Sequence, residues 1–162
     1  MMNLKGSCHC GAVTFEVKSH TPQPYMRCYC SICRKTAGGG GYAINIMGEA
    51  RTLKVRGRKH LGVYRATLEE GGVRMHSSAR RHFCKHCGSA LFIADPRWKK
   101  WVYPHASAID TPLPVPVETA HIMLDSKCSW AEAPGGKRNR KFHEYPDQSI
   151  EDWHKTRGVY VK

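Results

Sequence analysis

Three short cysteine clusters are the residues of this 162-residue sequence best suited to chemistry. They are Cys8-His9-Cys10, Cys28-Tyr29-Cys30-Ser31-Ile32-Cys33 and Cys84-Lys85-His86-Cys87. Thiolates bind soft metal ions, and thiols that leave one tight turn can converge on the same ion. A glycine follows the first and the third cluster, where it lets the chain turn so that backbone N–H groups face the sulfur atoms. The spacing therefore predicts metal sites, with zinc as the ion.

The clusters contain two, three and two cysteines, and this arrangement indicates two kinds of zinc site. A structural zinc site is closed by four ligands, whereas a catalytic site keeps three protein ligands and one open position. The closed site would use Cys8, Cys10, Cys84 and Cys87, and it would join the N-terminus to a segment about 75 residues away. The open site would use Cys28, Cys30 and Cys33, where water or an incoming ligand completes the coordination.

Two alternatives to this assignment stay open. Eight cysteines could pair as disulfides, although they form only about 5 per cent of the chain, below the content of a disulfide scaffold. Both zinc sites could also be structural, with Cys128 or a histidine as the fourth ligand of the triple. Cys128 stands alone and is more typical of an ordinary buried cysteine. We expect His9, His82 and His86 beside the ligands or at the surface, rather than on the metal.

Positive charge is concentrated in the same part of the chain as the cysteines. The formal net charge is +13, and residues 1–90 hold a net +11 together with seven of the eight cysteines. Part of this charge offsets metal-bound thiolates, and the remainder favours an anionic substrate or partner. Six basic residues flank the clusters, where they would lower thiol pKa values or simply form a solvated face. They are Arg27, Arg34, Lys35, Arg80, Arg81 and Lys85.

Short strands separated by glycine turns are expected to position these clusters. The predicted strands are 12–17, 42–47, 53–55, 61–66, 73–76, 81–83, 90–93, 101–107 and 118–124. One helical turn is predicted over 31–35, and a helix over 147–156 with Asp147 as its N-cap. Residues 133–141 are predicted to form an exposed basic loop. The sequence thus predicts a mainly β fold in one domain, with few short helices.

The composition indicates a small core that needs a metal. Only 28 residues, about 17 per cent, are Leu, Ile, Val or Phe, a fraction typical of disordered chains when the charge is this high. The eight Cys, seven Tyr and four Trp argue against disorder. Metal-binding energy is folding energy in small metal domains, so the four-cysteine site would complete the core. No apolar run approaches a membrane span and no signal peptide is visible, which predicts a cytoplasmic protein.

Taken together, the three motifs resemble the glutathione-dependent formaldehyde-activating enzyme family, which also contains the domain of centromere protein V. The resemblance rests on residues 6–13, 28–35 and 82–91. It implies a β-tent-like fold of coiled antiparallel sheets. It also implies a structural zinc at Cys8, Cys10, Cys84 and Cys87, and a second, catalytic zinc at Cys28, Cys30 and Cys33.

The resemblance implies an activity as well, that of S-(hydroxymethyl)glutathione synthase. This carbon–sulfur lyase condenses or cleaves the adduct of glutathione and formaldehyde, with glutathione as co-substrate. We assign residues 1–130 to the zinc-binding domain and 131–162 to a C-terminal extension packed on it. Two other functions stay open: the same chemistry on another thiol or electrophile, and a non-catalytic basic zinc module that binds nucleic acid or an acidic protein. Nucleic acid is the weaker case, because no recognition helix is predicted.

Overall fold

The computed structural model describes residues 1–161, and the first of its sheets contains the N-terminus. In this sheet β1 (Met2–Ser7) pairs with β2 (Thr14–Ser19), and β6 (Lys54–Arg56) lies on the other side of β2, all antiparallel. Side chains alternate between the two faces of a strand. Leu4 and its partner Val17 are accordingly buried on the inner face. The sheet therefore covers one side of the core and leads directly into the first cysteine cluster.

The second sheet has five antiparallel strands and carries the third cysteine cluster. Its order is β5 (Gly48–Glu49), β12 (Trp101–Pro104), β11 (Ala90–Ala94), β10 (Arg80–Cys84) and β7 (Leu61–Tyr64). The tight connection between β10 and β11 holds the third cluster, and the register shifts by one residue just before it. Such a bulge bends a strand and changes where its side chains point.

A third sheet mixes parallel and antiparallel pairs. Its order is β14 (Asn139–Lys141), β13 (Thr119–Ile122), β3 (Tyr25–Cys28) and β4 (Ala43–Asn45). The central strand β13 runs parallel to both β14 and β3, whereas β4 is antiparallel to β3. All four residues of β13 are buried, as expected for a central strand with parallel neighbours. The sheet brings residues from the C-terminal part of the chain next to the second cysteine cluster.

The remaining elements are an exposed hairpin and short helices. The hairpin pairs β8 (Thr67–Glu70) with β9 (Val73–His76) through Gly71-Gly72, whose φ angles of 57° and 79° suit a type I′ turn. Residues 1–161 contain two α-helices, α1 (Ser31–Ala37) and α2 (Ile150–Thr156). In the described part of the chain, neither helix is long and apolar enough to cross a membrane.

The hydrophobic core consists of two clusters, and each contains cysteines from a different group. The first joins Cys8 and Cys84 to aliphatic and aromatic residues of the first two sheets, among them Leu4, Phe15 and Leu91. The second joins Cys28 and Cys33 to residues that include Ile93 and Ile122. Because the cysteines are members of the core, a metal bound to them would cross-link the segments that meet there.

The mainly β fold is confirmed, and two local predictions are wrong. The helix near the C-terminus begins at Ile150 with Ser149 as its N-cap, not at Asp147, because the Ser149 side chain accepts the Asp152 N–H bond. The predicted loop 133–141 contains the strand β14, which pairs with β13 although its residues are polar and basic. Backbone pairing along a buried neighbour outweighs the weak strand propensity of these residues. The strands β1, β3, β5 and β8 were not predicted from the sequence.

Candidate metal and active site

The four cysteines assigned to the closed site converge in the structure. The sulfur atoms of Cys8, Cys10, Cys84 and Cys87 all lie within 4.8 Å of one another. Cys10 Sγ lies 3.6 Å from Cys8 Sγ and 3.7 Å from Cys84 Sγ. A tetrahedral zinc with Zn–S bonds of about 2.3 Å requires sulfur–sulfur distances of about 3.8 Å. This four-cysteine group therefore has the donor set and the size that zinc fits.

Backbone N–H groups in two glycine turns face these sulfur atoms. Val13 N donates to Cys8 Sγ at 3.2 Å, and His86 N donates to Cys84 Sγ at 3.4 Å. Gly11 and Gly88 follow the cysteine pairs with φ angles of 74° and 75°. Positive φ is accessible to glycine at little cost, so the two turns explain why a glycine stands at each position. The resulting N–H···S bonds favour the thiolate form that binds metal.

A serine hydroxyl supports the exposed edge of this group. Ser89 Oγ lies 3.2 Å from Cys87 Sγ and accepts the N–H of His9 at 3.1 Å. Its own proton is therefore available to the sulfur. Hydrogen bonding from this hydroxyl, and from nearby backbone N–H groups, lowers the pKa of Cys87 to about 5. Cys87 is thus a thiolate at neutral pH.

The second cluster is built at the junction of β3 and α1. Cys28 ends β3, Cys30 is the N-cap of α1, and Cys33 lies in the first turn of that helix. The three sulfur atoms lie within 4.8 Å of one another, and Cys33 N donates to Cys30 Sγ at 3.3 Å. Hydrogen bonds from the thiols of Cys28 and Cys33, with the Cys33 N–H, lower the pKa of Cys30 to about 2. Cys30 is therefore the first thiolate of the three.

Within residues 1–161, no further Cys, His, Asp or Glu side chain joins this three-cysteine group. Cys128, half-buried, is outside both groups, as are the exposed His9 and His86. His82 stacks on Phe92 with ring centroids 4.4 Å apart. The described geometry thus brings three cysteine sulfur atoms together without a fourth protein donor.

One basic residue approaches the three-cysteine group. Arg81 Nη1, on β10, lies 3.8 Å from Cys33 Sγ, where a guanidinium N–H donates to the sulfur. The other flanking cations have different environments: Arg27 lies over the ring of Tyr42, and Arg34 and Lys35 line a separate open groove. Arg80 and Lys85 are exposed. Of the six basic residues singled out in the sequence, Arg81 therefore lies closest to the chemistry.

A cavity of about 280 Å³ opens on the sulfur atoms of Cys28, Cys30 and Cys33. The third sheet and α1 form one side, and residues of the second sheet, including Arg81 and Tyr103, form the other. Trp98 packs edge-on against Tyr103 with ring centroids 5.0 Å apart. Burial raises the pKa of Tyr103 to about 12, so its hydroxyl stays protonated at neutral pH. We refer to this space as the cysteine cavity.

The connection between β14 and α2 closes one wall of the cysteine cavity. Tyr145, Pro146, Gln148, Ser149 and Ile150 all line it. Neither these residues nor Trp98 and Tyr103 were predicted from the sequence as site residues. No spacing motif marks them, because they come from the second sheet with its connections and from the segment after β14, which meet only in the folded protein.

These observations define a class: a mainly β protein with a four-cysteine metal group in one core cluster and a three-cysteine group at the floor of a cavity. The sequence profile of the family described as glutathione-dependent formaldehyde-activating enzyme matches residues 3–125. The chain therefore belongs to this family. It is 52% identical over 158 residues to a Halomonas elongata protein named "Putative glutathione-dependent formaldehyde-activating enzyme", covering 98% of each chain.

The fold is also similar to a solved structure. A crystal structure of a Rhodobacter sphaeroides protein superimposes with a TM-score of 0.52 and 28% sequence identity. The similarity covers 68% of this chain and 91% of that protein. It supports the shared fold of the domain that surrounds the cysteine groups.

Proposed function

We propose that this protein is a zinc-dependent carbon–sulfur lyase of the S-(hydroxymethyl)glutathione synthase type, acting on glutathione and formaldehyde. The observation that carries the proposal is the three-cysteine group on the floor of a cavity, with no fourth protein donor among the described residues. The family name and the name of the Halomonas relative support the choice of thiol and aldehyde.

We assign two zinc ions with different roles. Cys8, Cys10, Cys84 and Cys87 would hold the structural ion, and Cys28, Cys30 and Cys33 would hold the catalytic one. When bound at the triple, zinc supplies a Lewis acid that lowers the pKa of a coordinated thiol to below neutral pH. Free thiols in both groups require a reducing compartment, which supports a cytoplasmic location.

The residues of the chain then hold and orient the reactants. In the synthetic direction the thiol sulfur forms a bond to the aldehyde carbon, the carbonyl π electrons move to oxygen, and that oxygen takes a proton. Arg81 and the protonated Tyr103 hydroxyl line the same cavity and can donate to the oxygen as its negative charge develops. Trp98 and Ile93 add apolar surface to this space, and a hydrogen bond to a developing charge is stronger beside apolar groups than in bulk water.

We also propose that residues 131–162 are an extension of the 1–130 domain and not a separate unit. The supporting contacts join the two parts directly: β14 pairs with β13, and Trp153 Nε1 and Arg157 Nη2 each donate to Glu118 at 2.9 Å. The extension would then contribute to the active site.

Exchange spectroscopy of the substrates tests the activity. Two-dimensional NMR would measure the rate at which glutathione and formaldehyde interconvert with their adduct, with and without the zinc-loaded protein. We expect Cys30→Ser to abolish the acceleration and to keep the fold, because its cluster forms the cavity floor. Cys84→Ser should unfold the first core cluster, because Cys84 is fully buried there.

Cys128→Ser is the matched control, since Cys128 lies outside both groups. It should retain the rate and the stability. Equal loss of fold from Cys30→Ser and Cys84→Ser would instead indicate two structural zinc sites, and unchanged exchange with the wild-type protein would overturn the proposed activity.

A further inference from the structure

The cysteine cavity has a lining that formaldehyde alone does not require. Its walls are largely apolar and aromatic, with Met26, Ile93, Trp98, Ile122 and Ile150 among them. Formaldehyde has only hydrogen atoms on its carbonyl carbon, so it offers this surface almost nothing to contact. An apolar wall stabilises a ligand roughly in proportion to the apolar area that the ligand buries against it.

The charges of the lining indicate which part of an adduct stays inside. Apart from the cysteines, Arg81 is the one charged residue among the described residues that line the cavity, and none of them is a carboxylate. Glutathione carries two carboxylates and an ammonium group at neutral pH. A buried charge without a partner is costly, so most of the tripeptide must extend outwards into solvent. The space beside the reacting sulfur is left for an uncharged, apolar group.

The wall that completes this space comes from residues 145–150, outside the part of the chain that the family profile matches. This segment is held at both ends. Before it, Met123 N donates to Glu144 O at 2.8 Å and Phe142 N donates to His121 O at 2.9 Å. After it, α2 is anchored by the bond from Trp153 to Glu118. The wall is therefore a fixed part of the cavity.

We propose that this site takes aldehydes with an apolar substituent of about the size of a phenyl ring in preference to formaldehyde, and that residues 145–150 with Trp98 determine this preference. The inference rests on the proposed function, since it names the aldehyde class for the same reaction. The thiol sulfur adds to the aldehyde carbon, the carbonyl oxygen takes up the proton that the thiol releases, and the substituent remains on that carbon against the aromatic wall.

The test compares two stable thioethers that cannot react, S-benzylglutathione and S-methylglutathione. Their dissociation constants with the zinc-loaded full chain are measured by isothermal titration calorimetry, which does not depend on turnover. We expect the benzyl compound to bind at least about tenfold more tightly, in line with the discrimination that an apolar pocket gives for added apolar groups. Equal affinities for the two compounds would overturn the inference.

Variants locate the preference within the cavity. Tyr145→Ala and Trp98→Ala should each remove most of the benzyl preference, measured as the ratio of the two dissociation constants. Tyr145 is 69% exposed, so folding does not depend on its side chain. Trp130→Ala, at a 66% exposed tryptophan outside the cavity, is the matched control and should keep the preference. If both cavity variants kept the preference for the benzyl compound, residues 145–150 and Trp98 would not determine it.

A parallel rate measurement separates this inference from the function on which it rests. Exchange of glutathione adducts is followed by NMR with benzaldehyde and with formaldehyde. Tighter binding of the benzyl compound without acceleration for either aldehyde would overturn the proposed function. Acceleration with formaldehyde together with equal thioether affinities would overturn this inference alone. If the proposed function and this inference both hold, exchange should be faster with benzaldehyde than with formaldehyde.

Discussion

At the scale of single residues, hydrogen-bond donors surround the sulfur atoms of both cysteine groups. Backbone N–H groups face Cys8, Cys30 and Cys84, and a hydroxyl faces Cys87. Hydrogen bonds to the charged form of a group lower its pKa. Among these cysteines, Cys30 and Cys87 have pKa values lowered well below that of a free thiol, so their thiolate forms are favoured before any metal binds. The donors around these two sulfur atoms therefore control how strongly protons compete with a metal.

Replacing Ser89 with alanine tests this control. The Ser89→Ala variant loses the O–H bond to Cys87 Sγ, so the pKa of Cys87 rises from about 5 towards its ordinary value. Hydrogen-bond partners of metal ligands commonly change metal affinity by about 10- to 100-fold. We expect zinc affinity to fall by about tenfold, with a larger deficit at pH 6 than at pH 8, measured by competition with a chromophoric chelator. Ser129→Ala, at an exposed serine, is the control. An unchanged affinity at both pH values would refute the role of the hydroxyl.

Arg81 can be separated from its neighbour because adjacent strand residues point to opposite faces. Arg81 lies at 3.8 Å from Cys33 Sγ and lines the cavity, whereas Arg80 is exposed. A hydrogen bond to a charged group contributes roughly 1.5–3 kcal/mol, so Arg81→Gln should lower kcat/KM for adduct exchange, expressed per bound zinc, by about 10- to 100-fold. Arg80→Gln should keep the rate within about twofold. If both variants lost activity equally, the loss would reflect the general surface charge and not a local contact of Arg81.

At the scale of elements, the start of α2 fixes the wall of the cysteine cavity. Ser149 Oγ accepts the N–H of Asp152 at 3.1 Å and donates its proton to the Asp152 carboxylate at 2.7 Å. Loss of an N-cap side chain costs about 1 kcal/mol. We expect Ser149→Ala to lower the free energy of unfolding in urea by that amount, and Asp147→Ala to lower it by less than half as much. If Asp147→Ala lowered the free energy of unfolding more than Ser149→Ala does, Asp147 would be the N-cap, as expected from the sequence.

Those elements whose signals are local could be predicted from the sequence. Strand 73–76 has the predicted bounds, the adjoining turn follows from Gly71-Gly72, and both cysteine groups follow from spacings of two or three residues. Strand β14 could not be predicted, since its Asn-Arg-Lys sequence has little strand preference and pairs only because β13 lies beside it. The wall of the cavity was missed for a similar reason: its residues come from segments that meet only in the folded protein, which leaves no pattern in the sequence.

At the scale of the whole molecule, each cysteine group belongs to one of the two core clusters. Cys10 and Cys84, 74 positions apart, bring the N-terminal turn to the second sheet, and the three-cysteine group lies where the second and third sheets meet. The few aliphatic residues of this chain are therefore divided between two small cores that metal sites would complete. The positive charge that made the composition resemble a disordered chain lies mainly on the surface around them.

The junction of the second and third sheets also contains a buried histidine that makes the molecule sensitive to acid. His105 is 2% exposed, it pairs through its backbone with Asn45 of β4, and its N–H donates to Leu91 O at 2.9 Å. Burial, with a smaller contribution from the charge of Arg81, lowers its pKa from 6.5 to about 4. The unfolded chain therefore binds a proton at a pH where the folded protein does not.

Because the pKa of His105 is lower in the folded protein than in the unfolded chain, acid destabilises the fold. As the pH falls from about 6.5 to 4, His105 takes up a proton only in the unfolded state, so the free energy of unfolding decreases. Between pH 7 and pH 5 the loss from this residue is about 2 kcal/mol. His105→Gln removes the titrating group. Between pH 7 and pH 5 the free energy of unfolding of this variant should therefore decrease by about 2 kcal/mol less than that of the wild type, measured by urea unfolding at both pH values. Protonation of the cysteine thiolates occurs in both proteins and cancels in the comparison. If the free energy of unfolding decreased equally in the wild type and in the variant, His105 at the junction of the sheets would not be the cause of the acid sensitivity.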